Sequence, residues 1–110
     1  MIKVRVKGKP GRIEGFMLWG HARHAPHGAD IVCAGVSAVV TTALLGLAKV
    51  AAGGFRYRIL PQGLVYCRIE EARMTRAKAR DAQVILDVML LGLAAIKQSH
   101  EDCMDLIYTV

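Results

Sequence analysis

The stretch Asp30-Ile31-Val32-Cys33-Ala34-Gly35-Val36-Ser37-Ala38-Val39-Val40-Thr41-Thr42-Ala43-Leu44-Leu45-Gly46-Leu47-Ala48 carries no charge after Asp30. How it is read decides the fold. Its length reaches the lower edge of a membrane-spanning helix. Against a span stand Gly35, Ser37, Thr41, Thr42 and Gly46, a composition richer in Ala than Leu, and its place between two strand pairs. A crossover helix of a compact domain fits better, buried on nearly all sides and in part by a second subunit. Asp30 is a good N-cap for it, and Gly53-Gly54 ends it after about Ala52.

Outward from this helix the pattern is of short strands. Ile2, Val4 and Val6 alternate with Lys3, Arg5 and Lys7, which is a half-buried strand. Gly8-Lys9-Pro10-Gly11 turns the chain, and 12–19 reads as an antiparallel partner. Residues 20–29 hold three His, a Pro and two Gly, and read as a loop. Residues 55–59 and 64–69 form a hairpin around Leu60-Pro61-Gln62-Gly63. A second helix is expected over 75–99. Val84, Ile85, Val88, Met89, Leu93 and Ile96 would be its buried stripe, with Arg76, Lys78, Arg80, Asp81 and Asp87 on the wetter side. A last strand follows over 104–110. The order β-β-α-β-β-α-β predicts an α+β domain spanning 1–110, with one mixed sheet and two packed helices.

Composition bounds the rest. A chain of 110 residues is one domain, and an apolar share of 54% with only 5% aromatic means a core of aliphatic side chains. Three widely spaced Cys with no secretory signal ahead of them suggest a reduced, cytoplasmic protein. A net charge of +6 suits an RNA or ribosomal environment, yet no basic–aromatic run in the sequence looks like an RNA-binding motif.

The chemistry concentrates around Cys33. With Asp30 as cap, Cys33 falls in the first helical turn, where free N–H groups favour a thiolate. The N–H groups of Cys33 and Ala34 could then face an oxyanion. His21, twelve residues upstream at the end of a strand, can take the thiol proton, so the two are the minimum for a cysteine nucleophile. Ser37 lies one turn beyond Cys33 and could hold the imidazole or a substrate. The plainer reading has its hydroxyl bonding back to the carbonyl one turn earlier. Asp30 could orient His21 or serve only as the cap. His21, His24, His27 and Cys33 could bind a metal, though their spacing matches no standard zinc pattern. Cys67 and Cys103 read as structural. The edge of the first strand pair, beside His21, could accept an extended peptide as an added strand.

The combination of Gly20-His21-Ala22, Gly28, Asp30-Ile31-Val32-Cys33-Ala34 and Val36-Ser37 resembles the signature of the ribosomal-processing cysteine proteases, the Prp family. The resemblance runs the length of the chain and includes Gly53-Gly54 and the stretch 89–93. It implies a small cytoplasmic bacterial endopeptidase that forms homodimers and uses no cofactor and no metal. It implies that the enzyme removes the N-terminal extension of large-subunit ribosomal protein twenty-seven, cutting after Phe-Phe. Cys33 would be the nucleophile and His21 the general base and later acid, with Asp30 and Ser37 at supporting motif positions. The loop over 23–29, with Arg23, His24, His27 and Gly28, would be a mobile cover. His24, His27 and Gly35 depart from the usual pattern. The expected partner is a ribosomal protein, with the ribosome itself a candidate and no membrane involved. Two other classes stay open at this stage: a non-enzymatic ribosome- or RNA-associated module, and a metal-binding regulator. A charge of +6 does not attract a basic ribosomal protein, so contacts near the cut, or the ribosome's RNA, must compensate.

Overall fold

The computed structural model describes residues 1–20, 26–61 and 63–109, with 26–30 as backbone alone. Two strands, β1 (Ile2–Lys9) and β2 (Arg12–Trp19), precede helix α1 (Pro26–Val50). A hairpin of β3 (Phe55–Ile59) and β4 (Val65–Ile69) leads to helix α2 (Arg76–Ser99) and then β5 (Met104–Thr109). Short 3-10 turns at Glu71–Arg73 and Glu101–Cys103 flank α2. The expected β-β-α-β-β-α-β order holds. One mixed sheet forms in the order β3-β4-β2-β1-β5, antiparallel except where β5 runs parallel to β1.

The helices cover one face of the sheet. Ile2, Val4 and Val6 alternate inward from β1 to meet Ile13, Phe16 and Leu18 of β2 and Cys67 of β4. Onto them pack Val32, Val36, Val40, Leu44 and Leu47 of α1 with Leu86, Met89, Leu90 and Leu93 of α2. Leu47, Leu86 and Leu93 are fully buried, and truncating any one to Ala costs about 2–5 kcal/mol. Thr75 caps α2, its hydroxyl accepting from the Lys78 N–H. Gln83 docks α2 onto the sheet. Its Oε1 accepts from the Ile13 N–H at 2.7 Å and its Nε2 donates to the Ile13 carbonyl at 2.8 Å. Ile13 lies beyond the β2–β4 pairing, which ends at Gly15, so Gln83 supplies the backbone partners that β4 does not.

Four expectations are corrected. The α1 helix starts at Pro26, not at Asp30, because proline is preorganised for the first helical position. Within a single chain it is also not buried on nearly all sides, which leaves its remaining cover to the expected second subunit. Its span Ile31–Val50 has a mean hydropathy of 2.2, long and apolar enough to cross a membrane by length and composition, but only a third of that window is buried. The α2 stripe is rotated: Val84 and Val88 are exposed, and Ala82, Leu86, Met89, Leu90 and Leu93 are buried. Apolar spacing identifies an apolar row, and the neighbouring helix decides whether the row is covered. Asp87 is correspondingly half-buried, and its carboxylate accepts from the Gly11 N–H at 2.9 Å. Finally, the β1–β2 pair offers no free edge, since β4 and β5 flank it on either side.

Candidate active site

Strand β2 ends at Trp19, in register with Lys3. Gly20 follows with φ +97°, and a Cβ there would sit 2.3 Å from the Met1 carbonyl oxygen. Only glycine takes that conformation at that distance without strain. Gly20 is thus the residue that lets the chain leave the sheet close against β1 and enter the His21 segment. In the sequence Gly20 stands only as part of the Gly20-His21-Ala22 motif. The signal was available as a lone Gly at the end of an apolar strand.

Cys33 is the eighth residue of α1, partly buried and packed against the core. Ser37, one turn on, is exposed. Among the described residues its hydroxyl has no hydrogen-bond partner, so it does not bond back to the preceding turn. Nearby, a Cβ on Gly35 would meet Ile96 Cδ1 at 3.6 Å, which places the last turns of α2 beside this part of α1. The end of the sheet where β2 stops also holds the β3–β4 turn and Cys103, just before β5, because Leu18 pairs with Val65 and Ile2 with Met104.

The other expected site residues stand as follows. His21, Arg23 and His24 lie outside the described residues. The backbones of His27, Gly28 and Asp30 lie in the first turns of α1, so the expected loop over 23–29 is helical from Pro26 onward. Asp30 is the fifth helical residue and not the cap. The oxyanion assignment changes with it. The N–H groups of Cys33 and Ala34 fall in the third turn, within the i→i−4 ladder, whereas only the first four N–H groups of a helix are free. The macrodipole effect likewise fades beyond the first turn.

The three thiols are not equivalent. Cys67 is wholly buried on β4, and burial pushes its thiol up to about 12. It is therefore inert near neutral pH. Cys33 and Cys103 are both partly exposed, and of these only Cys33 has an exposed hydroxyl one turn away on its own helix. Among the described residues no group of His, Cys, Asp and Glu could hold a metal ion.

Comparison with known proteins supplies the family. Residues 1–105 match the family model of the cysteine protease Prp. The ribosomal processing cysteine protease of Bacillus subtilis is 33% identical over 97 residues, covering 79% of this chain and 78% of that protein. The crystal structure of the essential ribosomal processing protease of S. aureus with a covalently linked product peptide superposes with a TM-score of 0.78. It is 28% identical and covers 99% of this chain and all of that one. The same enzyme with a substrate peptide gives 0.77 at 27% identity, again covering 99% of this chain and all of that one. A cysteine paired in the sequence with Gly20-His21, a partly exposed thiol in a helix packed against the core, and this match over nearly the whole chain agree: the protein belongs to the Prp family of ribosomal-processing cysteine proteases.

Proposed function

We propose that this protease removes the N-terminal extension of bacterial large-subunit ribosomal protein twenty-seven, cutting after Phe-Phe, with Cys33 as nucleophile and His21 as base. The observation that carries the reading is the likeness over 99% of this chain to the S. aureus protease with its covalently linked product peptide. A covalent link between an enzyme and its product fits nucleophilic catalysis. The reaction then runs as acyl transfer. His21 takes the Cys33 proton, and Sγ attacks the carbonyl carbon of the second Phe. The tetrahedral intermediate collapses as His21 returns the proton to the leaving amine. Water gives a proton to His21 and attacks the thioester carbonyl carbon; the C–S bond breaks, the product leaves as a carboxylic acid that ionises, and the Cys33 thiolate is restored.

The oxyanion needs donors, and the helix as it stands offers none at Cys33. Freeing the Cys33 and Ala34 N–H groups requires the helix start to retreat from Pro26 to beyond Asp30, because their partners in the i→i−4 ladder are the carbonyls of Ala29 and Asp30. In this reading the segment Pro26–Asp30 unwinds when the peptide binds, Cys33 enters the first turn, and the segment with Arg23, His24, His27 and Gly28 covers the substrate.

The active form is a cytoplasmic homodimer in this reading. The outer faces of α1 and α2 support that assembly. Ile31, Leu45, Val84, Val88 and Leu91 are exposed there, beside a groove of about 540 Å3 between the helices floored by Ala38, Thr42, Gly46 and Gly92.

The test is cleavage of a synthetic peptide spanning apolar-Gln-Phe-Phe-Ala-Ser-Lys, followed by mass, beside Cys33→Ala and His21→Ala. A product ending in the second Phe, lost in both variants, supports the reading. An intact peptide with folded wild-type protein, or cleavage that survives Cys33→Ala, overturns it.

A further inference from the structure

The sheet has a second face, which neither described helix covers. Pairing registers place Arg58, Tyr66, Met17, Arg5 and Ile107 in one row across all five strands. The next row, roughly 7 Å away, holds Arg56, Arg68, Gly15, Lys7 and Thr109. On the other side Trp19 lies in register with Lys3. Residues far apart in the chain thus bring six cations to one surface. Acids answer only two of them: Asp105 binds Arg5 at 3.0 Å and Glu70 binds Arg56 at 2.5 Å. Lys3, Lys7, Arg58 and Arg68 are exposed and have no ion pair among the described residues. Most of the chain's net charge of +6 therefore gathers here. The cleft beside the start of α2 differs, because Glu14, Glu71 and Asp87 there balance Arg12, Arg76 and Arg80.

Flat π-surfaces accompany the charge. Tyr66 is 39% exposed at the middle of the face. Trp19 is half-buried, with the Arg5 guanidinium 5.4 Å from its ring centroid. At Gly15, between Arg68 and Lys7, a Cβ would lie 2.6 Å from the Cys67 carbonyl oxygen, so the second row has a gap with no side chain at its centre. A sheet that presents cations to a backbone and aromatic rings to bases is how single-stranded nucleic acid is held. An acidic protein would use the cations and leave the rings idle.

We infer that the open face of the sheet is a binding surface for single-stranded RNA, separate from the protease site. It answers the charge problem of a basic enzyme acting on a basic substrate: RNA of the ribosome, not the substrate protein, is what the charge attracts. The inference stands on the surface alone and does not require the cleavage assignment.

The test is fluorescence anisotropy of a labelled single-stranded RNA 12-mer with the full chain, across a salt series. Four unpaired cations predict a log–log salt slope of about −3. Lys7→Glu with Arg68→Glu is expected to weaken binding more than tenfold and to flatten the slope by at least about 1. Lys7→Gln with Arg68→Gln is the milder pair, used if the first melts early. Tyr66→Ala is expected to cost about tenfold with the slope unchanged, and Tyr66→Phe to keep full affinity. Phe-Phe peptide cleavage should be unchanged in all of them, so loss of RNA binding and loss of protease activity are read separately. Three results would overturn the inference. The first is no RNA binding at low salt. The second is binding that these variants leave intact, or that polyglutamate of matched length reproduces. The third is a charge-variant effect on self-association in sedimentation with none on RNA.

Discussion

Gly28→Ala and Ala29→Gly test whether the first turns of α1 must unwind for catalysis. Both positions lie in the helix that begins at Pro26. In a helix Gly is less favourable than Ala by roughly 0.5–1 kcal/mol. Replacing Gly28 by Ala therefore deepens the helical state by that amount, and replacing Ala29 by Gly raises the unwound state equally. If Cys33 gains its oxyanion donors only when Pro26–Asp30 unwinds, the competent population moves with these energies. A shift of roughly 0.5–1 kcal/mol is about two- to fivefold in population, because tenfold corresponds to about 1.4 kcal/mol. The expected result is kcat/KM down about two- to fivefold in Gly28→Ala and up by a similar factor in Ala29→Gly. The assay is initial-rate cleavage of the Phe-Phe peptide, with amide exchange of residues 27–34 measured in parallel. Opposite signs matter, because a methyl at position 28 that merely collided with substrate would not make Ala29→Gly faster. Two variants changing in the same direction, or a faster Gly28→Ala, would refute the unwinding step. The donors would then have to lie outside α1.

Two further outcomes follow from burial and exposure. Cys67 has its thiol raised from 9.0 to about 12 by burial. Folding thus holds a proton that the unfolded chain releases above pH 9. The associated stability is complete below pH 9 and is lost as pH rises towards 12, with a slope of about 1.4 kcal/mol per pH unit. Urea midpoints from pH 8 to 10.5 should fall more steeply in the wild type than in Cys67→Ala; parallel curves would show that Cys67 does not couple folding to pH. Leu45, exposed on the outer face of α1, belongs to the proposed dimer contact. Leu45→Lys should halve the mass found by sedimentation equilibrium, and a wild type that is already monomeric would remove that assignment of the face.

How much of this was legible in the sequence depends on how local each feature is. The β1 alternation was readable because one face of that strand is buried and the other is wet, a contrast that repeats every two residues. Thr75 was readable as the start of α2 because a cap acts within three residues of itself. The start of α1 was misplaced where two local signals compete: Asp30 is a good cap, but Pro26 four residues earlier suits the first helical position, and the helix takes the longer option. Val84 and Val88 were read as core because they have helical spacing, yet whether a row is covered depends on the helix packed beside it. The family was legible because the stretches around Gly20-His21-Ala22 and Cys33 are each only a few residues long and need no tertiary context to be read.

The basic face lies at the other extreme. Arg56 and Arg58 lie on β3, Arg68 on β4, Lys3 and Lys7 on β1, and Trp19 on β2. Only the sheet order, in which β4 lies against β2 and β1 against β5, brings them into common rows. The local interleave Phe55-Arg56-Tyr57-Arg58 puts Tyr57 in register with the buried Cys67 and its arginines in register with Arg68 and Tyr66, so this window by itself does not describe the open face. In the proposed mechanism the chemistry of cleavage rests on Cys33 and His21, which two short stretches of sequence carry. Attraction to a polyanion depends on a charge density that any set of strands can assemble. A family can therefore keep its protease motif legible while the surface that brings the enzyme to its substrate is visible only once the strands are paired.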